Sequence, residues 1–458
     1  MRVADAPSPS SAAPTAPGFT EALRFWLKLG FVSFGGPAGQ IALMHQELVE
    51  RRRWISERRF LHALNYCMLL PGPEAQQLAT YLGWLLHRSW GGIVAGVLFV
   101  LPSLVLLVAL SWIYAAFGDV KWVAGAFYGI KPAVTAIVVQ AAVRMGRRTL
   151  HGPVPWGIAA GAFAAIALLE LPFPGVIASA AALGWWLGRR SPALLMPPPA
   201  ATKRPAETCA TPAVLGDDSP VAPHARFSRA RLAAVLLGGG ALWLTGMLVL
   251  AATFGYRDVP SAMAWFFTKA ALLTFGGAYA VLPYVYQGAV SGHGWLTGTQ
   301  MIDGLALGES TPGPLIMVVA FVGFMGGWNL QVLGPAWPAA GGMLCAVVAT
   351  FFTFLPSFVF ILAGGPAVES SRGSLRVGAP LAAVSAAVVG VIASLAMFFA
   401  GHVMWPEGVG HAPDWTALAL CAAALAALLR LNVSVPVLIV AAVAVGLVLS
   451  AAGFAPIA

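Results

Sequence analysis

Residues 25–73 read FWLKLGFVSFGGPAGQIALMHQELVERRRWISERRFLHALNYCMLLPGP, and residues 266–314 read FFTKAALLTFGGAYAVLPYVYQGAVSGHGWLTGTQMIDGLALGESTPGP. Lys28, Phe34-Gly35-Gly36, Trp54 and Pro71-Gly72-Pro73 in the first stretch return in the second. There they are Lys269, Phe275-Gly276-Gly277, Trp295 and Pro312-Gly313-Pro314. Each landmark is displaced by 241 residues (269 − 28, 295 − 54, 312 − 71), with no gap. A match of this length implies duplication of a half-molecule, as in many transporters.

The composition around the two copies suits a membrane protein. Of 458 residues, 59% are hydrophobic and 9% charged, against about a quarter charged in soluble domains. So little charge cannot cover a water-exposed surface, and the apolar runs repeatedly reach the ~20 residues that cross a bilayer. The net charge of +9 fits Lys and Arg gathered on the cytoplasmic side, with a bias toward anionic solutes as the second reading. Cys67, Cys209, Cys345 and Cys421 have no paired spacing, so neither a disulfide framework nor a metal site is expected. No cofactor motif is present, and a Walker A sequence is absent.

In chain order, residues 1–18 form a Pro/Ala/Ser tail without the apolar centre of a signal peptide. An N-terminal membrane repeat covers 19–188, and a basic, proline-rich cytoplasmic linker covers 189–231. One extra transmembrane helix occupies 232–254, and a C-terminal repeat fills 255–458. Counting each broken segment once gives about 13 transmembrane segments in an all-α protein. The odd helix at 232–254 delivers the second repeat from the opposite side, so the repeats are expected to be inverted. With the linker inside, Arg144, Arg147, Arg148, Arg372, Arg376 and Arg430 fall inside, while Glu170, Glu407 and Asp414 fall outside. Arg51 to Arg59 would then face outwards: either the first Pro-Gly-Pro segment is re-entrant there, or the run is a surface helix that tolerates the violation.

Paired prolines around a glycine remove backbone donors and disfavour the turn before each ring, so the helices must break at 71–73 and 312–314. In lipid, freed backbone groups must be buried in protein or line a cavity. A half-helix N-terminus offers unpaired N–H groups and a positive dipole end to an anion. The expected substrate site is therefore Lys28, Gly35, Gly36, Pro71, Gly72, Pro73, Gln76, Lys269, Gly276, Gly277, Thr311, Pro312, Gly313 and Pro314. Plain kinks and packing glycines are the competing explanation for the breaks, and snorkelling to the interface is the competing explanation for the lysines. Lys131, before Pro132, is a weaker anion candidate, because Ala379 precedes the matching Pro380. Glu74 and Glu309 flank the two breaks. A carboxylate withdrawn from water favours its proton-carrying form, which makes both candidates for proton coupling. For Glu74, a stabilising place in a first helical turn is the simpler account. Asn65, Gln77, Ser310 and Thr311 are further candidate donors.

The FGG and PGP pairs, with LLPGPEAQQLATYLGW at residues 69–84 and LPS at 101–103 and 355–357, resemble the chromate ion transporter family in its long, two-domain bacterial form. The resemblance covers nearly the whole chain outside the tail and linker. It implies export of chromate across the inner membrane, giving chromate resistance. Membership does not select among chromate, sulfate and molybdate, and a channel or an intramembrane enzyme stays open as a rival reading. No HExxH or GxSxG sequence favours the enzyme. The transport energy is expected from the membrane potential or from proton coupling. The partners expected are a tetrahedral oxyanion and the lipid bilayer; a homodimer is left open and nucleic acid is not expected.

Overall fold

The computed structural model describes residues 16–34, 36–118, 120–191, 213–217, 219, 222–275, 277–371, 378–406 and 411–452. Gly35, Gly276, Arg372, Arg376 and Glu407 lie outside the described residues, as do most of the tail and residues 192–212. Every regular element among the described residues is a helix, apart from one isolated bridge between Ile55 and Leu215.

The first broken segment is α1 (Phe19–Val32) and α2 (Gly36–His45), continued by a π-helical turn at Gln46–Arg51. The second is α3 (Glu57–Leu69) and the start of α4 (Glu74–Phe117). Helix α4 bends sharply at His87 and Arg88, whose backbone angles are not helical. Next come α5 (Lys121–Thr149), α6 (Pro153–Ala167), α7 (Phe173–Arg190) and α8 (Arg229–Phe254). The motif then recurs as α9 (Val259–Leu273), α10 (Ala278–Tyr286), a second π-helical turn at Gln287–Gly292, α11 (Gly298–Ser310) and α12 (Val318–Asn329). The chain closes with α13 (Pro338–Ser371), α14 (Ala379–Met404), α15 (Trp415–Arg430) and α16 (Val435–Ala451).

The duplication extends to local chemistry. Leu70 and Thr311, each before a proline, are extended, which ends α3 and α11 where proline sterics require. Ser56 and Thr297 cap those helices at their starts, each accepting a bond from the amide three residues on. Both π-helical turns are followed by a tryptophan amide donating back, Trp54 to Leu48 O and Trp295 to Ala289 O, each at 2.8 Å. Phe25 meets Trp54 edge-on at 5.4 Å, and Phe266 meets Trp295 edge-on at 5.3 Å.

Two backbone bonds tie the copies together. The Gly72 amide donates to Thr274 O at 2.7 Å, and the Gly313 amide donates to Ser33 O at 2.8 Å. Each Pro-Gly-Pro turn therefore satisfies the carbonyl freed at the FGG break of the other half. The hydroxyls of Ser33 and Thr274 donate to Leu29 O and Ala270 O, both at 2.6 Å, closing the ends of α1 and α9. A Cβ on Gly72 would lie 2.4 Å from Ser357 Oγ, and one on Gly313 would lie 2.6 Å from Ser103 Cβ. Both glycines have φ above +110°. The two LPS serines thus press against the glycine of the opposite copy.

The aromatic cluster of each half sits at its own end of the bundle. Helix α13 shows this: near its start Gly341 packs on Gly327, and near its end Glu369 accepts from Tyr81 at 2.8 Å. The rise between these points is about 40 Å. At the first-half end, Arg52 reaches Glu21 (3.2 Å) and the His87 ring meets Pro17 O (3.0 Å). The beginning of α1, the π-turn and the bend of α4 therefore lie together. The linker is expected to be unstructured, yet its described part is docked at the same end. Leu215 N donates to Trp54 O, Ser56 Oγ donates to Asp217, and the His224 ring meets Trp84 O. Val214, Leu215, Ala222 and Ala225 pack on the first-half core, which is why this stretch has a fixed place. Arg51 to Arg59 accordingly share the linker's end of the molecule.

Five helices among the described residues, α4, α5, α8, α13 and α14, are long and apolar enough to cross a membrane. Helix α8 is the plainest case. Only Met247 and Leu250 are buried along it, so an almost wholly apolar rod faces outwards and requires lipid.

Gly313→Ala combines a left-handed backbone with steric overlap at Ser103, and is expected to cost about 2–4 kcal/mol. Gly36→Ala, with φ +69° and nothing within 4 Å of the new methyl, is expected to cost roughly 1 kcal/mol. Apparent Tm in detergent checks the ranking, and equal losses would show that the contact with Ser103 does not matter.

Candidate functional site

A cavity of ≈ 320 Å³ lies between the halves where the broken helices meet. Gly36 and Pro37 at the start of α2 line it, as do Gly277 and Ala278 at the start of α10. Helix starts leave N–H groups without intrahelical acceptors, so two positive dipole ends border one space. Met68 and Glu309, equivalent positions 241 residues apart, both line it. So do Arg144 of α5 and Ile392 of α14, which correspond in the register that pairs Pro132 with Pro380 (392 − 144 and 380 − 132 are both 248). Glu74, at the start of α4, completes the carboxylates.

The charge of the lining is not duplicated. Arg144 and Arg148, one turn apart on α5, supply the cations, and their equivalents on α14 are Ile392 and Ala396. Among the described residues neither arginine forms a salt bridge, and both are exposed to the open space. Glu309 is 7% exposed and accepts a hydrogen bond from Tyr279 of α10. Gln140, a turn before Arg144, donates to Leu428 O at 3.2 Å and anchors α5 against α15. The lining runs from the helix breaks to Thr149, Leu381 and Val435, at the last turn of α5 and the first turns of α14 and α16.

The expected site residues divide into three groups. Gly36, Gly277, Glu74 and Glu309 are brought together at the cavity. Pro71, Gly72, Pro73, Gln76, Thr311, Pro312, Gly313 and Pro314 are not among its lining residues. The Gly72 and Gly313 amides are spent on the opposite half, and the Gln76 amide group donates to Thr80. Lys28 and Lys269 are exposed and away from the cavity. Lys28 borders a separate surface pocket, and Lys269 lies 5.7 Å from the Trp265 ring. Lys131 pairs with buried Asp303 at 3.6 Å, and Tyr114 donates to the same carboxylate at 2.9 Å. Sequence reasoning missed Arg144 and Arg148 as site residues, because their place near the inside end of a span already accounts for them.

The chromate transporter family model matches residues 20–185 and 261–447, two regions whose starts are again 241 residues apart (261 − 20). The chain belongs to the chromate transporter family. Among curated relatives, a chromate transport protein of Pseudomonas aeruginosa is 35% identical over 84% of this chain and 81% of its own length. A chromate transport protein of Cupriavidus metallidurans is 29% identical, with 82% of each chain covered. A probable chromate transport protein of Synechococcus elongatus is 28% identical, with 81% of each covered. No solved structure matches this chain. Membership of a chromate transporter family, with its apolar helices, makes the chain a multi-pass membrane protein built for transport.

If the two arginines bind an oxyanion directly, each is worth a charged hydrogen bond. Arg144→Gln and Arg148→Gln are then each expected to weaken binding of chromate to detergent-purified protein roughly ten- to hundred-fold. Calorimetric titration checks this; Arg147→Gln, whose residue does not line the cavity, is the control.

Proposed function

We propose that the protein carries chromate out of the cytoplasm across the bacterial inner membrane and so confers chromate resistance. In this reading the dianion sits in the cavity between the halves, held by Arg144, Arg148 and the first-turn amides of α2 and α10. The observation that carries the reading is that equivalent positions of both copies wall one space containing two helix starts and two arginines that form no salt bridge among the described residues.

The topology follows from which ends lie together. Both broken segments of the first half leave and rejoin the linker's end, so each is a re-entrant hairpin. Those of the second half enter from the opposite end, where Asn329 of α12 donates to Gln300 of α11 and to Trp295 O. Thirteen segments then become four re-entrant hairpins and nine crossings, the last part of α4 being the first crossing. Two crossings fewer per half leaves the parity unchanged, so the halves stay inverted. Arg51 to Arg59 move to the cytoplasmic side, where the positive-inside rule wants them.

In this conformation the cavity reaches the cytoplasmic ends of α5, α14 and α16. Toward the other face, Lys131, Asp303 and Tyr114 join α5, α11 and α4 across the halves. This is the arrangement of an inward-facing carrier, and rocking one repeat against the other would exchange access. An interior-negative potential expels a dianion, at about 2.3 kcal/mol per charge per 100 mV. Glu74 and Glu309 beside the arginines would each take a proton when the anion binds, since two carboxylates and a dianion leave the two arginines overmatched.

Inside-out vesicles carrying the protein are expected to accumulate chromate with saturation and counter-flow. Arg144→Gln and Arg148→Gln should lose transport with normal insertion. Flux without saturation would point to a channel, and sulfate carried in preference to chromate would change the substrate. For sidedness, Gln140→Cys in a background lacking native cysteines is expected to react with an impermeant thiol reagent from the cytoplasmic side. Labelling from the outside alone would reverse the orientation.

A further inference from the structure

The duplicated lysines have a different chemistry from the cavity. Helix α1 shows lipid a stripe at helical spacing, with Phe19, Leu23, Leu27 and Phe31 all exposed. One residue further round, Thr20, Arg24 and Lys28 line a pocket of ≈ 310 Å³ with Glu21, Phe25 and Arg52. Arg52 comes from beyond the π-turn and is held in place by Glu21 at 3.2 Å, by Glu47 at 3.4 Å and by the Phe25 and Trp54 rings at 5.1 and 4.9 Å. Neither Arg24 nor Lys28 has a hydrogen bond or salt bridge among the described residues. With Arg52 paired to Glu21 and Glu47, Arg24 and Lys28 are two cations without a carboxylate partner among the described residues, in a pocket beside an apolar track. Simple snorkelling would splay the side chains apart, whereas here cations from two separate segments converge.

The second copy supplies the comparison. At equivalent positions Lys28 becomes Lys269, Arg24 becomes Trp265 and Arg52 becomes His293. Burial, with Lys269 beside it, holds the His293 ring below the ordinary histidine range. The copy at the opposite end therefore keeps one cation and an exposed tryptophan, a residue common at both membrane–water interfaces. The copy at the linker end keeps three cations. The cytoplasmic leaflet is the one rich in anionic lipid.

We propose that Arg24, Lys28 and Arg52 bind the phosphate of an anionic phospholipid, with an acyl chain lying along Leu23, Leu27 and Phe31. The shared chemistry is a tetrahedral phosphate-type oxyanion, and the attached chain separates lipid from free ion. The leaflet assignment rests on the orientation proposed above. Lipid binding in detergent is read without reference to orientation, so the two ideas fail separately.

The test is native mass spectrometry of the full-length protein in detergent. Phosphatidylglycerol, phosphatidylcholine or inorganic phosphate is added in separate arms. Phosphatidylglycerol is expected to be retained over phosphatidylcholine. Arg24→Gln/Lys28→Gln should weaken that retention about 30-fold, roughly fivefold per cation. Lys28→Arg should preserve it, and Lys269→Gln should leave it unchanged. Equal retention of the two lipids, or undiminished retention in the double variant, would overturn the proposal. Displacement of the lipid by millimolar inorganic phosphate would also overturn it, showing a site for free oxyanion.

Discussion

The structure depends on a reciprocal exchange of two backbone hydrogen bonds. A helix broken in the middle of a membrane leaves amides and carbonyls that water cannot reach, and each unsatisfied group costs several kcal/mol. Gly72 donates to the carbonyl of Thr274, and Gly313 donates to that of Ser33. Neither half satisfies its own FGG break with its own Pro-Gly-Pro turn. Association of the halves completes both breaks, and the glycines must stay glycines because a serine of the opposite copy fills the space above them. Gln40 strengthens one of the two knots by donating to Gly313 O. Val281 stands at its equivalent and cannot do so, so the two ties are alike in backbone but not in strength.

Much of this was legible in the sequence, and the reasons are specific. The 241-residue register foretold matched breaks, because Pro-Gly-Pro forbids a continuous helix whatever surrounds it. It did not foretell that each broken segment turns back, since a hairpin and a crossing have the same hydropathy. Arg51 to Arg59 carried that information: in the topology proposed above, their conflict with the charge rule marks an excess crossing upstream. The docking of residues 213–217 was hidden because a short apolar pair, Val214 and Leu215, is weak beside its proline-rich surroundings.

The site was read less well. Duplication drew attention to Lys28 and Lys269, but a recurring residue need only face a recurring environment, and here that environment is lipid. The stripe at 19, 23, 27 and 31 already placed Lys28 at the border of the lipid face. Arg144 and Arg148 were passed over for the opposite reason. Unduplicated and near a helix end, they had a sufficient explanation in topology, and only the bundle shows that the last turns of α5 wall an internal space.

That asymmetry bears on how such a carrier works. In the carrier reading proposed above, a doubled scaffold offers two related ways of closing, as alternating access requires. A lining with matched charge on both copies would give the anion no preferred partner half. Here Arg144 faces Ile392 and Glu309 faces Met68 across equivalent positions. The cations ride on α5 of the first half, whereas the buried carboxylate with its tyrosine belongs to the second. Rocking of one half against the other, as proposed, would therefore change the distance between the arginines and Glu309. A change in that distance would alter how strongly the proposed site holds an anion, which is the differential affinity without which a bound ion could not shift an equilibrium between two states.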